Sequence, residues 1–229
     1  MKTSKIIFVS LLGTIALIIL AASIDIRITG KRRGDYSADF KRSKQILPGF
    51  KVLNLSSCKN VQIVQNDSSF MEINYPKDSI VPKINYSIVK DTLTISGLNK
   101  KSRGFFIKIC ATDSLESIKL ENSDLGIYKF GFSHMSFDLN HSGLHLVQEN
   151  KDKSSVHAIQ ITAKNHSYIH FDKFKIDLLG ITLQNTNADF YTHVNKISGS
   201  ITDTSRIVLH QLEEISLKKD ATSKMNIYN

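Results

Sequence analysis

The feature that most limits what this chain can fold into is a repeat of about 20 residues running from Leu115 to Asn229. Two short patterns recur in it. The first is an apolar-x-apolar pair: Ile118-Lys119-Leu120, Phe137-Asp138-Leu139, Ile159-Gln160-Ile161, Ile181-Thr182-Leu183, Gly199-Ser200-Ile201 and Ile215-Ser216-Leu217. The second follows a few residues later, a serine and then two apolar residues in alternation. Its copies begin at Ser123, Ser142, Ser167, Ser205 and Ser223, with a degenerate one around Ala188-Asp189-Phe190. Five steps from Ser123 to Ser223 cover 100 residues, and five from Ile118 to Ile215 cover 97. Two separately chosen markers share one period, which is how a stack of repeats shows itself in sequence.

Every marker alternates with a period of two, so both halves of the repeat are expected to be strands. Between the halves lie Asn122-Ser123, Asn140-His141-Ser142, Asn165-His166-Ser167 and Asp203-Thr204-Ser205, residues that tolerate the left-handed backbone of a tight corner. Strand, corner, strand and loop every 20 residues describe an all-β fold, a right-handed parallel β-helix in which each coil buries its apolar face on the next. A leucine-rich repeat competes, since Leu115-x-x-Ile118-x-Leu120 and Leu212-x-x-Ile215-x-Leu217 fit its opening. The asparagine that fold wants three residues later is Ser123 and Asp220 here, and no helical stripe follows.

Residues 50–112 look like the same material in irregular form, with Pro76 and Pro82 interrupting alternating runs, and are expected to cap the solenoid with antiparallel strands and a first coil. Ahead of them, Ile6 to Ile24 is nineteen residues without a charge, long enough for a transmembrane helix. The expected organisation is therefore a membrane anchor or uncleaved signal at 1–28, a basic linker at 29–49, and the β-solenoid at 50–229. Net charge is +9, but residues 1–48 hold nine Lys or Arg against three Asp. The basic excess sits in the tether, where Lys31, Arg32 and Arg33 would meet anionic lipid head groups. A nucleic-acid interface needs a basic patch on the folded domain, so none is expected. Cys58 and Cys110 show no metal-ligand spacing and read as small hydrophobes in strands, with a disulfide between them the alternative outside the cytoplasm.

The layout resembles a bacterial family common in Bacteroidetes, the putative auto-transporter adhesins with a head GIN domain. The likeness is carried by Phe50-Lys51-Val52-Leu53, Val61-Gln62-Ile63-Val64-Gln65, Asp91-Thr92-Leu93-Thr94-Ile95, Ile107-Lys108-Ile109-Cys110 and Leu115-Glu116-Ser117-Ile118, then the serine-bearing corners and Met225-Asn226-Ile227-Tyr228. It spans most of residues 50–229. Where the family shows Gly-Ser-Gly-like corners, only Ser142-Gly143 comes close here. The resemblance implies export, which places the domain in the periplasm or at the cell surface although Lys31 to Arg33 follow the apolar span.

Stacking the repeats predicts two outward ladders: Lys119, Asp138, Gln160, Thr182, Ser200 and Ser216 on one face, and Gly126, His145, His170, Val208 and Asn226 on the other. Neither gathers the carboxylates that a glycan-cleaving β-helix needs. With no phosphate loop, nucleophile elbow or zinc motif in view, no enzyme and no cofactor is expected. His141, His145, His166 and His170 are the candidate metal ligands, His145 stacking on His170 and His141 on His166 across coils about 4.8 Å apart. Two corner residues and two solvent-facing ones account for them without a metal, so no metal site is assigned. The expected function is a non-catalytic, membrane-anchored, extracytoplasmic binding or adhesin-like module for glycan, polymer or protein. A structural or signalling accessory of the envelope is the alternative, and a carbohydrate-active enzyme the third. Leu217, Met225 and Ile227 would face the end of the last coil, so weak homo-oligomerisation through that coil is expected. Protease added to intact spheroplasts should release residues 50–229 as a fragment; protection until lysis would place the domain in the cytoplasm.

Overall fold

A computed structural model describes residues 13–21, 23, 40–80, 83–97, 105–129, 131–148 and 155–228. Residues 13–21 are helical, and no described helix is long and apolar enough to cross a membrane. The rest of the segment expected to be an anchor lies outside the described residues.

The remainder is strand and turn. In chain order the strands are β1 (Phe40–Ile46), β2 (Val52–Ser56), β3 (Val61–Gln65), β4 (Phe70–Pro76), β5 (Asn85–Val89) and β6 (Thr92–Ser96). Next come β7 (Phe106–Ala111), β8 (Ser117–Glu121), β9 (Asp124–Tyr128), β10 (His134–Asn140), β11 (Gly143–Val147) and β12 (Ser155–Lys164). The last are β13 (Tyr168–Gln184), β14 (Asn187–Thr202), β15 (Arg206–His210), β16 (Leu212–Lys219) and β17 (Lys224–Tyr228). All belong to one sheet, and β2 to β17 lie within the compact unit Arg42–Asn229. Strand β1 falls inside the stretch expected to be linker.

Two parallel ladders organise the sheet. The first runs β6–β2–β8–β10–β12 and on through the later halves of β13 and β14 to β16. The second runs β7–β3–β9–β11, through the earlier halves of β13 and β14, to β15 and β17. Strands β13 and β14 serve both ladders because a register shift between Asp172 and Lys175 bends them, and Lys173 there has φ 71°. Antiparallel pairing joins β4 to β7 and β5 to β6, within residues 50–112.

Parallel strands need partners that arrive by crossover: from β8 onward each parallel partner comes 18–25 residues away, whereas β2 and β3 meet β8 and β9 across 64–65 residues. Ile118, Phe137, Ile161 and Ile181 stand in one inward column of the first ladder, all buried. Ile127, Leu146, Phe171, Phe190 and Leu209 form the matching column of the second and are also buried. Each such side chain contributes roughly 1.5–3 kcal/mol on leaving water. The observed register differs from the expected one in two copies: the partner of Phe137-Asp138-Leu139 is Ile161-Thr162-Ala163, and that of Gly199-Ser200-Ile201 is Leu217-Lys218-Lys219. Both offsets are of two residues, which leaves every side chain on its expected face.

The corners between the ladders hold a column of buried hydroxyls. Ser123, Ser142, Ser167, Thr186 and Ser205 are all buried. Each donates to a carbonyl of its own corner: Ser123 to Glu121, Ser142 to Asn140, Ser167 to Lys164, Thr186 to Gln184 and Ser205 to Thr202. Four of these oxygens, those of Ser123, Ser142, Ser167 and Ser205, also accept the N–H of the equivalent residue in the neighbouring corner. Cys58 N donates to Ser123 Oγ at 3.0 Å, Ser123 N to Ser142 Oγ at 3.1 Å, Ser142 N to Ser167 Oγ at 3.2 Å and Thr186 N to Ser205 Oγ at 3.1 Å. Immediately before each hydroxyl sits a residue with positive φ: Asn122, His141, His166, Asn185 and Thr204. Cys58 occupies the column's first place, its buried sulfur on the carbonyls of Ser56 and Ile95; buried Cys110 lies in β7 with its thiol pKa raised by desolvation.

Removing one rung of that column leaves a buried N–H without its partner, while the corner carbonyl keeps a backbone donor from the neighbouring corner, as Lys164 O keeps His141 N at 3.2 Å. Ser167→Ala is expected to cost about 1–3 kcal/mol in denaturant unfolding, and Ser167→Thr much less because Thr186 already fills an equivalent place. Gly199 has φ 128° and a Cβ there would overlap the Ile181 carbonyl oxygen, so Gly199→Ala should destabilise at least as much.

Candidate ligand-binding face

Alternation in the second ladder sends every other residue outward, and parallel register lines those residues up. One outward column reads Gln62, Gly126, His145, His170, Asp189, Val208 and Asn226. The next, two residues further along each strand, reads Val64, Tyr128, Val147, Asp172, Tyr191, His210 and Tyr228. Strands in a sheet lie about 4.8 Å apart, so rings on neighbouring strands meet. His145 lies 5.5 Å from Tyr168 and 6.0 Å from His170, His170 5.5 Å from Tyr191, Tyr191 4.4 Å from His210, and His210 5.1 Å from Tyr228. The last two pairs are stacked, at 26° and 22° between planes. A continuous file of six rings thus crosses β11, β13, β14, β15 and β17, with Tyr191 47% and Tyr228 54% exposed.

Polar groups punctuate the file. Tyr168 Oη donates to Asp189 Oδ2 at 3.2 Å. Burial raises the Tyr168 pKa, and the Asp189 charge and hydrogen bond add to the effect, so the hydroxyl stays protonated. The His145 pKa is lowered, first by burial and then by the nearby His170, against a smaller opposing pull from Asp124. A neutral imidazole keeps one donor and one acceptor nitrogen available.

The structure brings His145 onto His170 in register, with ring planes at 46°. His141 and His166 occupy corners, where φ is 51° and 60°. Each turns to a neighbouring asparagine: His141 Nδ1 is 3.2 Å from Asn165 O, and His166 Nε2 is 3.4 Å from Asn185 Nδ2. Among the described residues no group of three or more His, Cys, Asp or Glu is arranged to hold a metal ion. The expected outward ladder of the first face becomes Lys119, Asp138, Thr162, Thr182, Ser200 and Lys218, with Gln160 and Ser216 one column over.

Sequence reading missed Tyr168, Tyr191, His210 and Tyr228. A signal for three of them was present: the residue five places after each corner hydroxyl is Tyr128, Val147, Asp172, Tyr191, His210 and Tyr228, aromatic in four of six. Also missed was a hydrogen-bonded run on the first-ladder side. There Asp177 accepts from His157 Nδ1 at 3.4 Å and Asn195 Nδ2 at 3.1 Å, while His193 Nε2 contacts Asn195 Oδ1 at 3.0 Å and Glu213 Oε1 at 2.9 Å. Its members come from four strands one repeat apart, which no local pattern reveals.

No family model matches the sequence, and no curated protein matches it. Among solved structures the chain is similar to a putative adhesin from Bacteroides fragilis, with TM-score 0.55 and 12% identity over 82% of this chain and 96% of that one. It is also similar to a putative adhesin from Parabacteroides merdae, with TM-score 0.52 and 14% identity over 83% of this chain and 97% of that one. At such identity the likeness is one of fold.

The lowered His145 pKa has a direction in pH. The unfolded chain, with histidine near 6.5, takes up its proton before the folded chain does, so the contribution to stability is full above that value and lost as pH falls through it. Thermal midpoints should therefore drop more for the unmodified protein than for His145→Gln between about pH 7.5 and about pH 5, which bracket the usual histidine value of about 6.5. Equal drops would remove His145 from the acid response.

Proposed function

We propose that this chain is a non-catalytic, adhesin-like binding module held outside the cytoplasm by its N-terminal apolar segment. In this reading residues 50–229 form a right-handed parallel β-solenoid with an irregular β cap at 50–112, of the kind named for putative auto-transporter adhesins with a head GIN domain. From β8 onward, two ladders whose partners lie about one repeat apart, joined by corners of constant chemistry, support the solenoid. The fold likeness to two putative adhesins supports the adhesin-like role.

The observation that carries the reading is the file of six rings. Tyrosine offers a large amphipathic surface at a small cost in side-chain entropy. Here that cost is lower still, because each ring is already held by its neighbours at 4.4–6.0 Å. Ring edges bearing imidazole nitrogens and phenol oxygens then repeat at the spacing of the strands. A regularly repeating polymer with hydroxyls and apolar C–H faces, such as a polysaccharide, can engage several of them at once, and multivalency turns weak contacts into useful affinity.

Full-length protein in detergent is expected to be retarded by one or more polysaccharides in affinity electrophoresis. Tyr191→Ala combined with Tyr228→Ala should weaken that retention by about tenfold, two aromatic contacts at about 0.5–1.5 kcal/mol each and tenfold being 1.4 kcal/mol. Retention unchanged in the double variant would move the site off this face. No retention by any polysaccharide would point to a protein ligand.

A further inference from the structure

Beyond the N-terminal end of the ring file, the same face changes character. Two outward positions on successive strands, Gly126 on β9 and Gly143 on β11, carry no side chain, and a neighbour leans into the space of each. A Cβ on Gly126 would lie 2.9 Å from Tyr128 Cε2 and 3.3 Å from its Oη; one on Gly143 would lie 2.8 Å from Asp124 Oδ1. The Asp124 carboxylate is held further by Lys59, whose Nζ is 2.9 Å from Oδ2. His145 stands directly beside Gly126 in register and Gln62 on the other side. Tyr128, its ring lying across Gly126, lines with Phe106, Gln62, Asp124 and His145 a notch of about 410 Å³.

We propose that this notch is a saccharide subsite that takes one neutral pyranose, the end unit of a chain lying along the ring file. The inference rests on the glycan-binding reading and names the unit that sets its specificity. The volume falls within the roughly 300–1,000 Å³ of small-molecule sites, and the lining has the usual form of aromatic wall with a few convergent polar groups. Tyr128 and Phe106 offer apolar surface for the C–H face of a sugar ring. Asp124 accepts from a pair of sugar hydroxyls, the arrangement in which an ionised acceptor gives the stronger hydrogen bond. His145, neutral at ordinary pH because burial and His170 lower its pKa, both donates and accepts. A uronic acid or sulfate placed against Asp124 would meet a like charge already paired with Lys59, and Lys108 stands one strand beyond Gln62, at the far side of the notch from Asp124.

Saturation-transfer NMR on the full-length protein in detergent tests this, with methyl β-glucoside, methyl β-galactoside, methyl α-mannoside and methyl β-glucuronide as probes. At least one neutral glycoside is expected to receive saturation and the glucuronide none. Gly126→Val drives the Tyr128 ring off its seat and Asp124→Asn leaves the backbone as it is, so the second decides if the first does not fold. Both should abolish or reduce the neutral signal at least several-fold while polysaccharide retention through Tyr191 and Tyr228 persists. A neutral signal unchanged in Asp124→Asn, a preference for the glucuronide, or no signal from any neutral glycoside would overturn the subsite. If the polysaccharide is still retained in those cases, the notch alone is wrong; if it is not, the reading of the whole face falls with it.

Discussion

The hydroxyl column at the corners is the interaction on which the rest depends. A chain that turns sharply between two parallel ladders must bury backbone N–H groups that the ladders do not pair, and an unpartnered buried group costs about 1–3 kcal/mol. A serine or threonine solves this within one side chain, since its oxygen donates to a carbonyl of its own corner and accepts from an N–H one repeat away. The bond therefore does two jobs. It closes the corner, and it couples that corner to the next at one fixed offset.

That coupling sets the register of the second ladder, and the register makes the outward face. With Ser123, Ser142 and Ser167 tied in series, Gly126, His145 and His170 must fall in one column, and the residues two places on in another. Rings brought to adjacent strands stack, as Tyr191, His210 and Tyr228 do. A left-handed residue before each hydroxyl completes the turn, which explains why asparagine and histidine recur there; β-branched Thr204 takes the same conformation against its preference. Histidines in this chain thus do different work by position: His141 and His166 turn corners, while His145, His170 and His210 build the face.

Much of this was legible from the chain. The serines and the asparagines before them announced the corners, and period-two alternation told inward from outward residues. His145 could be placed beside His170 because the corner serines gave both the same local count. The first ladder was harder. Phe137 and its partner Ile161 are 24 residues apart whereas Ile181 and Gly199 are 18 apart, so loop length varies within the repeat. An offset of two residues preserves the alternation, and nothing local distinguishes Ile159-Gln160-Ile161 from Ile161-Thr162-Ala163 as the partner.

By itself the sequence determined what short-range chemistry can determine: the strand character, the period, the faces of each strand and the residues able to turn a corner. These follow from the alternation of side chains and from the few residue types that accept a left-handed backbone. Only the tertiary structure decided which residues became neighbours across repeats. The bend at Asp172–Lys175 that lets two strands serve both ladders, the file from His145 to Tyr228, and the notch beside Tyr128 all depend on contacts between segments about twenty residues or more apart. A glycine reads as an empty position in a strand; at Gly126 the fold uses that emptiness to seat the Tyr128 ring.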